Sequence, residues 1–292
     1  MKAADRQASF AIPIIVGLGV AIGWAGSQGG AAAAGIPVFA LCGCVAFVIN
    51  WIVFVHAYAA QTERFFDLTG SVTYVTVTLL ALALADGPDV RAWMIAAMVV
   101  VWAGRLGSFL FARISRDGSD GRFDALKPSF ARFLMTWTLQ GLWVLLTLAC
   151  ALAAITTKAP VALDGFALVG ALLWAIGFGI ETTADRQKNQ FRADPSNRDA
   201  FIERGLWAWS RHPNYFGEIT LWLGIAVIAL PVLSGWQYAT LISPLFVYVL
   251  LTRISGVPLL EARGEKKWGD DPAYRAYRDR TPSLFPRRPR GS

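Results

Sequence analysis

The chain carries a polar, mostly basic stretch that begins ETTADRQKNQFR at residues 181–192 and ends SRHPNYFGE at residues 210–218. Apolar segments flank it on both sides, at 165–180 and from residue 219 onward. A helix that continues out of the first apolar segment places four charged side chains on one face, because they recur every three or four residues. These side chains are Glu181, Asp185, Lys188 and Arg192.

The second half of the stretch predicts a new helix that begins at Pro213, since proline suits the first helical position. His212 would then cap the helix, and Arg211 would lie just outside it. Asn214 and Glu218 would share a face one turn apart. A helix N-terminus beside basic groups favours a phosphate or carboxylate. The alternative is that the charges only orient the protein at a membrane, but histidine, asparagine, tyrosine and glutamate contribute nothing to orientation.

The composition indicates a polytopic membrane protein. Of the 292 residues, 55% are hydrophobic and 16% charged, and the mean hydropathy is +0.46, which is too apolar for an ordinary soluble protein. Eight apolar segments approach the ~20 residues needed to cross a bilayer. They cover residues 9–27, 35–60, 65–85, 91–112, 130–156, 162–183, 214–232 and 237–255. The first could instead be a cleaved signal peptide, although no convincing cleavage site follows it.

The sequence therefore predicts an all-α, polytopic membrane helix bundle with seven to eight transmembrane helices. If both ends are cytoplasmic, nearly all of the 27 lysines and arginines lie on the cytoplasmic side, and only Arg91 and Lys158 lie outside. The positive-inside rule then places the C-terminal tail and the active site at the cytoplasmic face. We expect a bacterial inner-membrane protein whose pI of about 9.6 reflects contact with anionic lipids.

Several classes of protein do not fit the sequence. Cys42, Cys44 and Cys150 all lie in apolar segments and form no CxxC pair, so we expect no metal site and assign them to packing. No GxGxxG motif, Walker loop or nucleic-acid-binding motif is present. We expect no nucleic acid and no obligate protein partner. A transporter is less favoured, because the polar groups gather at one face of the membrane.

Polar residues also collect where the third segment begins. Asp67 and Tyr74 are seven residues apart and share a helix face, and Glu63 precedes them. An ionisable side chain inside a span is costly and indicates function, although Asp67 could also be a hydrated helix cap. Such groups predict a cavity open to the cytosol that suits a molecule with one polar and one lipid-soluble part.

The C-terminal tail after Arg253 mixes charges with the aromatic residues Trp268, Tyr274 and Tyr277. This pattern predicts an interfacial cover with aromatic side chains at headgroup depth. The same segment could equally close over a cofactor.

The run GLWAWSRHPNYFGEITLW, Gly205–Trp222, resembles the C-terminal region of the steroid 5α-reductase superfamily. The motifs ERFFDLTGS (63–71), RLGSF (105–109) and DGRFD (120–124) resemble a bacterial integral membrane branch of it. The run is also similar to sterol C14 reductases. Its RHPNY element and the ending WGDDPAYRAYRDRTP (268–282) resemble isoprenylcysteine carboxyl methyltransferases and related phospholipid methyltransferases.

Because the resemblance covers most of the chain from about residue 60, we predict N-terminal transmembrane helices at 1–60 and a catalytic membrane domain at 61–292. The resemblance implies NADPH-dependent reduction of a conjugated C=C bond in a lipophilic enone, such as a 3-oxo-Δ4-steroid, with NADPH among the last helices. Asp185, Arg192, Asn214 and Glu218 match the family's cofactor pocket. The full predicted cofactor-binding set is Glu181, Asp185, Lys188, Arg192, Arg211, His212, Asn214, Tyr215 and Glu218.

In the steroid enzymes a glutamate on an early helix and a tyrosine on the next polarise the ketone oxygen of the substrate. Asp67 is the nearest match to the glutamate, with Phe66 where the family has glutamine. Trp102 stands where the family has tyrosine, and Tyr74 is the substitute that helix spacing offers. The predicted catalytic residues are Asp67, Glu63 and Tyr74.

Two other functions stay open at this point. The first alternative is an S-adenosylmethionine-dependent isoprenylcysteine or phospholipid methyltransferase, and the second is a transporter or lipid-binding membrane protein. For all three, the expected partners are a lipophilic small molecule and membrane lipids.

Overall fold

The computed structural model describes residues 3–289, apart from the side chain of Asp117, and is almost entirely helical. Among the described residues, eight helical segments are long and apolar enough to cross a membrane. The predicted all-α membrane bundle is therefore confirmed. The helices are α1 (Ala3–Gly26), α2 (Val38–Ala59), α3 (Phe66–Leu84), α4 (Val90–Asp117), α5 (Phe130–Ile155), α6 (Gly165–Ala193), α7 (Pro213–Ala229), α8 (Ile242–Val249), α9 (Val257–Trp268) and α10 (Pro272–Arg280).

The chain divides into two compact units. The first runs through Ala167 and includes Ile228–Ser243, and the second comprises Leu168–Val227 and the described residues from Pro244 onward. The only strands among the described residues, Ala32–Ala33 and Ile36–Pro37, form a small antiparallel hairpin between α1 and α2.

Helix α5 forms the core of the first unit. The apolar part of this helix is 83% buried, and Leu148 and Leu152 expose no surface. Helices α1, α2, α3 and α4 all pack against it. Because an apolar helix in a membrane protein can face either lipid or other helices, it is the packing of four helices around α5 that gives it the central position in this unit.

Helix α6, in the second unit, shows the opposite arrangement, with an apolar face left uncovered. Leu168, Leu172 and Ile176 are each more than half exposed and follow one another at four-residue spacing. Residues four apart lie on one face of a helix, so they form a continuous apolar stripe. Such a stripe is characteristic of a lipid-facing surface.

Among the differences from the predicted segments, two concern the end of α4 and the helix types of the last segment. Helix α4 continues past residue 112 to Asp117, although the residues after 112 are mostly polar, and it ends at Gly118, whose φ of 82° only glycine adopts readily. The last predicted segment, 237–255, contains a 3₁₀ helix at Gly235–Leu241, helix α8 and a π-helical turn at Leu250–Ile254. Apolar composition does not distinguish these helix types.

The side chain of Arg91 links separate segments of the first unit. Its side chain is 1% exposed and donates hydrogen bonds to the carbonyl oxygens of Ile228, at 2.6 Å, and Ala162, at 2.9 Å. The guanidinium also lies 3.3 Å from the Asp164 carboxylate. Ile228 lies in the last turn of α7, where carbonyl groups have no partner within the helix. Arg91, one of the two cations that the predicted topology leaves outside, therefore has a structural role.

We expect Arg91→Met to lower the free energy of unfolding by at least about 2 kcal/mol, because two carbonyl groups lose their donor at ~1–3 kcal/mol each. The measurement is the thermal unfolding midpoint in detergent micelles. Lys158→Met is the matched control, since Lys158 pairs with Asp86 at 3.7 Å on an exposed surface, where ion pairs contribute little. Equal midpoints for the two variants would contradict the assigned role of Arg91.

Candidate functional site

In the second unit, helices α6 and α7 touch backbone to backbone where the predicted charged faces begin. A Cβ atom on Gly217 would lie 2.6 Å from the backbone nitrogen of Glu181, and one on Gly177 would lie 2.5 Å from the carbonyl oxygen of Gly217. Only glycine permits this approach, as at other close helix crossings in membranes. The contact holds the polar end of α6 directly beside the N-terminal turns of α7.

Trp207 organises the chain that links these two helices. Its indole Nε1 donates to the carbonyl oxygen of Ala184 at 3.1 Å, and the tryptophan packs with Phe191 and Ile202. The Lys188 ammonium lies 4.5 Å from the centre of the indole ring, within the range of a cation–π interaction. The linker is thereby folded back onto the charged face of α6.

Helix α10 closes over the same tryptophan. The Tyr277 hydroxyl donates to the carbonyl oxygen of Trp207 at 2.8 Å. Burial raises the pKa of Tyr277 above its usual value, so this hydroxyl keeps its proton. Tyr274 and Tyr277 are both buried, and both pack against Phe201. Both side chains therefore face the interior of the second unit, and their depth in a membrane stays a prediction.

These elements enclose a cavity of about 260 Å³, which we call the basic cavity. Five cationic side chains line it: Lys188, Arg192, Arg211, Arg263 and Lys267. The aromatic side chains in its wall are Phe191, Phe201, Trp207, Trp268, Tyr274 and Tyr277. Glu261 is the only carboxylate among its described lining residues.

Glu261 connects α9 to the turn before α7. Its carboxylate oxygen Oε1 lies 2.8 Å from His212 Nε2 and 3.2 Å from Arg211 Nε. Arg211 also donates from Nη1 to the carbonyl oxygen of Arg278 at 3.0 Å. The RHPNY element therefore holds helix α9 over the basic cavity.

Burial lowers the pKa of His212 below its ordinary value of 6.5, although the neighbouring Glu261 acts in the opposite direction. The imidazole is therefore neutral at pH 7 and, as the Nε2 tautomer, donates to Glu261. Its Nδ1 atom is then a buried acceptor without a partner among the described residues, as is the Asn214 side-chain oxygen. Buried acceptors without a partner are uncommon.

The nine predicted cofactor-binding residues all lie in the second unit. Lys188, Arg192, Arg211 and His212 line the basic cavity. Glu181 and Asp185 are buried on α6, and Asn214, Tyr215 and Glu218 are half-buried on α7. The two predicted helices exist as expected, with α7 beginning at Pro213. Cofactor binding by these residues stays a prediction.

Glu63, one of the three predicted catalytic residues, lies in the first unit and has clear partners. Its carboxylate accepts hydrogen bonds from Lys127 and from the backbone N–H of Asp120, both at 2.7 Å. Burial alone would raise the pKa of Glu63, but these hydrogen bonds outweigh it and hold the pKa below its usual value. Glu63 therefore anchors the loop between α4 and α5.

Asp67 and Tyr74 both lie on α3, as predicted. The Asp67 carboxylate is half-buried and accepts a hydrogen bond from Arg113 at 3.2 Å. Tyr74 is buried and packs edge-on against Trp102, with 5.1 Å between ring centres. Tyr74 thus contacts the residue at the position where the resembling steroid enzymes have tyrosine. The catalytic assignment of these residues stays a prediction.

Sequence reasoning missed several residues at these sites, among them Arg263 and Lys267 in the basic cavity. Glu261 and Trp207 were not among the candidates, and neither was Lys127, the partner of Glu63. Trp207 lies within the quoted run at 205–222, so its position in that run was the available signal. No local sequence pattern pointed to Glu261 or Lys127, because their partners are distant in the chain and only folding brings them together.

Together, the fold and the basic cavity are those of a helical membrane protein with a cavity lined mainly by cationic and aromatic side chains in its second unit. The chain belongs to the family described as a protein of unknown function, DUF1295, whose model matches residues 53–281. Neither the curated proteins nor the solved structures gave a match.

The lowered pKa of His212 predicts a loss of stability as the pH falls below about 6.5, because the unfolded chain binds a proton that the folded chain resists. The thermal unfolding midpoint, measured between about pH 8 and pH 5, should fall more for the wild type than for His212→Gln. His56→Gln removes the only other histidine, which is exposed, and should keep the wild-type dependence. Parallel curves for wild type and His212→Gln would refute the prediction.

Proposed function

We propose that this protein is an NADPH-dependent, membrane-embedded reductase of a conjugated C=C bond in a lipophilic enone, with 3-oxo-Δ4-steroids as candidate substrates. The observation that carries the proposal is the convergence of five cationic side chains on one aromatic-lined cavity. The resemblance of the RHPNY run and of the α3 motif to steroid 5α-reductases supports the same conclusion. Both motifs lie inside the region that the family model matches.

The charge of the basic cavity favours NADPH over S-adenosylmethionine. NADPH carries several negative charges on its three phosphate groups, and cationic side chains bind phosphates well. S-adenosylmethionine carries a positive sulfonium, which a cavity lined by five cations and one carboxylate disfavours. The same balance disfavours the methyltransferase alternative, although the RHPNY element is shared with that class.

The donors and acceptors present also suit a dinucleotide. Guanidinium and ammonium groups on Arg192, Arg211 and Lys188 can neutralise its phosphates, and the aromatic wall offers a surface for a base to stack on. The buried Asn214 oxygen without a partner is an acceptor that a carboxamide or a ribose hydroxyl could satisfy. Basic, aromatic and amide groups in one unit are what this cofactor requires.

The bound nicotinamide would supply the hydride that adds to the β-carbon of the enone. We propose that Tyr74 donates a hydrogen bond to the ketone oxygen and that Asp67 holds the proton which the resulting enolate needs. Arg113, which binds Asp67, would orient that carboxyl group. Glu63 would hold the loop between α4 and α5 in place beside α3.

For the orientation in the membrane, we propose that the basic cavity faces the cytoplasm of a bacterial cell, where NADPH is present. The support is the distribution of lysine and arginine, which the positive-inside rule assigns to that side. The lipid-facing stripe on α6 is consistent with access of an apolar substrate from the bilayer.

The first test is stabilisation of the purified protein by its cofactor. NADPH at 100 times its dissociation constant should raise the free energy of unfolding by about 2.7 kcal/mol, measured as an increase in the thermal unfolding midpoint. S-adenosylmethionine should give no increase. Stabilisation by S-adenosylmethionine alone would replace the reductase with the methyltransferase, and no response to either ligand would favour a transporter.

Matched variants test whether NADPH binds at the basic cavity of the second unit. Arg192→Ala should weaken NADPH binding by about 1–3 kcal/mol, because it removes one charge-assisted partner. Arg186→Ala removes the same charge from an exposed position on α6 that is not among the lining residues of the basic cavity, and it should bind NADPH as the wild type does. Equal losses in the two variants would place the cofactor elsewhere.

The second test concerns the proposed chemistry in the first unit. Asp67→Asn should lower turnover of an enone substrate by at least about 100-fold, as expected for loss of a proton-transfer group, and should leave the NADPH-dependent stabilisation intact. Asp124→Asn is the control, because Asp124 is an exposed carboxylate paired with Lys127 at 3.1 Å. An unchanged rate in Asp67→Asn would remove Asp67 from the mechanism and leave the cofactor assignment standing.

A further inference from the structure

A second concave surface lies in the same unit, between the end of the last apolar segment and the C-terminal strap, which we define as Pro282–Arg287. This groove has a volume of about 670 Å³ and is lined by Tyr248, Thr252, Arg253, Val257 and the strap. Tyr248 lies in α8, and Thr252 and Arg253 lie in the π-helical turn. Single π-helical turns occur often at functional sites.

The wall that the strap forms is fixed by backbone contacts. The backbone N–H of Arg211 donates to the carbonyl oxygen of Pro282 at 2.9 Å, and the Ser210 hydroxyl donates to that of Leu284 at 2.8 Å. The backbone N–H of Arg287 donates to the carbonyl oxygen of Trp209 at 3.0 Å. The groove is therefore a defined feature of the fold rather than a gap beside a free tail.

Each wall of the groove contributes one cationic side chain. Arg253 comes from the π-helical turn and Arg287 from the strap, and both side chains are exposed. Among the side chains that the structure describes, no acidic group forms an ion pair with either guanidinium. Within this described part of the chain their charge is thus uncompensated, in contrast to Arg211, which lies beside Glu261.

Large apolar side chains are exposed in the same region. Phe285, in the wall of the groove, is 65% exposed, and Ile254, in the π-helical turn, is 58% exposed. Leu245, farther back on α8, is 55% exposed. In water this surface would be unfavourable by about 25 cal/mol per Å², but beside acyl chains it is not. Cationic and apolar groups together, at the end of a span, match the boundary between headgroups and acyl chains.

We propose that this groove binds the phosphate group of an anionic phospholipid, with an acyl chain against Phe285 and Ile254. Guanidinium groups suit phosphate because their N–H donors form paired hydrogen bonds to its oxygens. A soluble phosphate would use the two arginines but would leave the apolar wall uncovered. This inference does not depend on the proposed reductase function, since the groove shares no lining residue with the basic cavity.

The experiment is a titration of the detergent-solubilised protein with phosphatidylglycerol or phosphatidylcholine, without nucleotide, in which native mass spectrometry counts the bound lipids. Phosphatidylglycerol should bind more tightly than phosphatidylcholine. Arg253→Gln and Arg287→Gln should each weaken its binding by about tenfold, through the loss of a charge-assisted hydrogen bond. Arg288→Gln is the matched control, because Arg288 is exposed and next to the strap but is not among the lining residues.

Three results would overturn the proposal. Equal losses in all three variants would indicate only general attraction between basic side chains and anionic lipid. Equal binding of the two lipids would show that the net negative charge of the lipid is not recognised, because phosphatidylcholine carries the same phosphate beside a cationic choline. Displacement of phosphatidylglycerol by an equal concentration of inorganic phosphate would indicate a soluble anion.

Arg253→Lys keeps the positive charge and should retain part of the binding. If Arg253→Gln fails to fold, Arg287→Gln and its control decide the question.

Discussion

The backbone contact between α6 and α7 is the constraint on which the candidate site depends. Because Gly177 and Gly217 carry no side chain, the two helices meet at a distance that a Cβ atom would prevent. Glu181 and Asp185 are consequently buried beside the first turns of α7, and the linker between the helices has to turn back sharply. Every other feature of the basic cavity is built on that turn.

The linker between α6 and α7 and the C-terminal helices also supply groups that offset the positive charge of the basic cavity. Five cations gather at one cavity, which would be unfavourable without compensation. Aromatic rings compensate for part of this charge, since Trp207 lies under Lys188, and Glu261 compensates for more of it beside Arg211. Lys267 also lies 3.4 Å from Asp199. In the first unit the corresponding ion pairs are Glu63 with Lys127 and Asp67 with Arg113.

Local patterns in the sequence could predict much of this protein. Apolar segments of sufficient length located the transmembrane helices, and proline at position 213 predicted where α7 begins. The three- and four-residue spacing from Glu181 to Arg192 placed those side chains on one helix. The end of α4 was predicted too early, because the apolar composition ends before the helix does. The packing of Tyr274 and Tyr277 against Phe201 was not predicted, because aromatic composition does not reveal contacts between distant residues.

The sequence by itself determined that the chain is a bundle of membrane-spanning helices with a basic, polar stretch after α6, because hydropathy and helical periodicity depend only on neighbouring residues. Only the tertiary structure decided which partners those charges have. Glu261 lies far along the chain from His212 and Arg211, and Lys127 lies farther still from Glu63, so no local pattern could pair them. Electrostatic compensation depends on distances in space, and these distances exist only after the helices have packed.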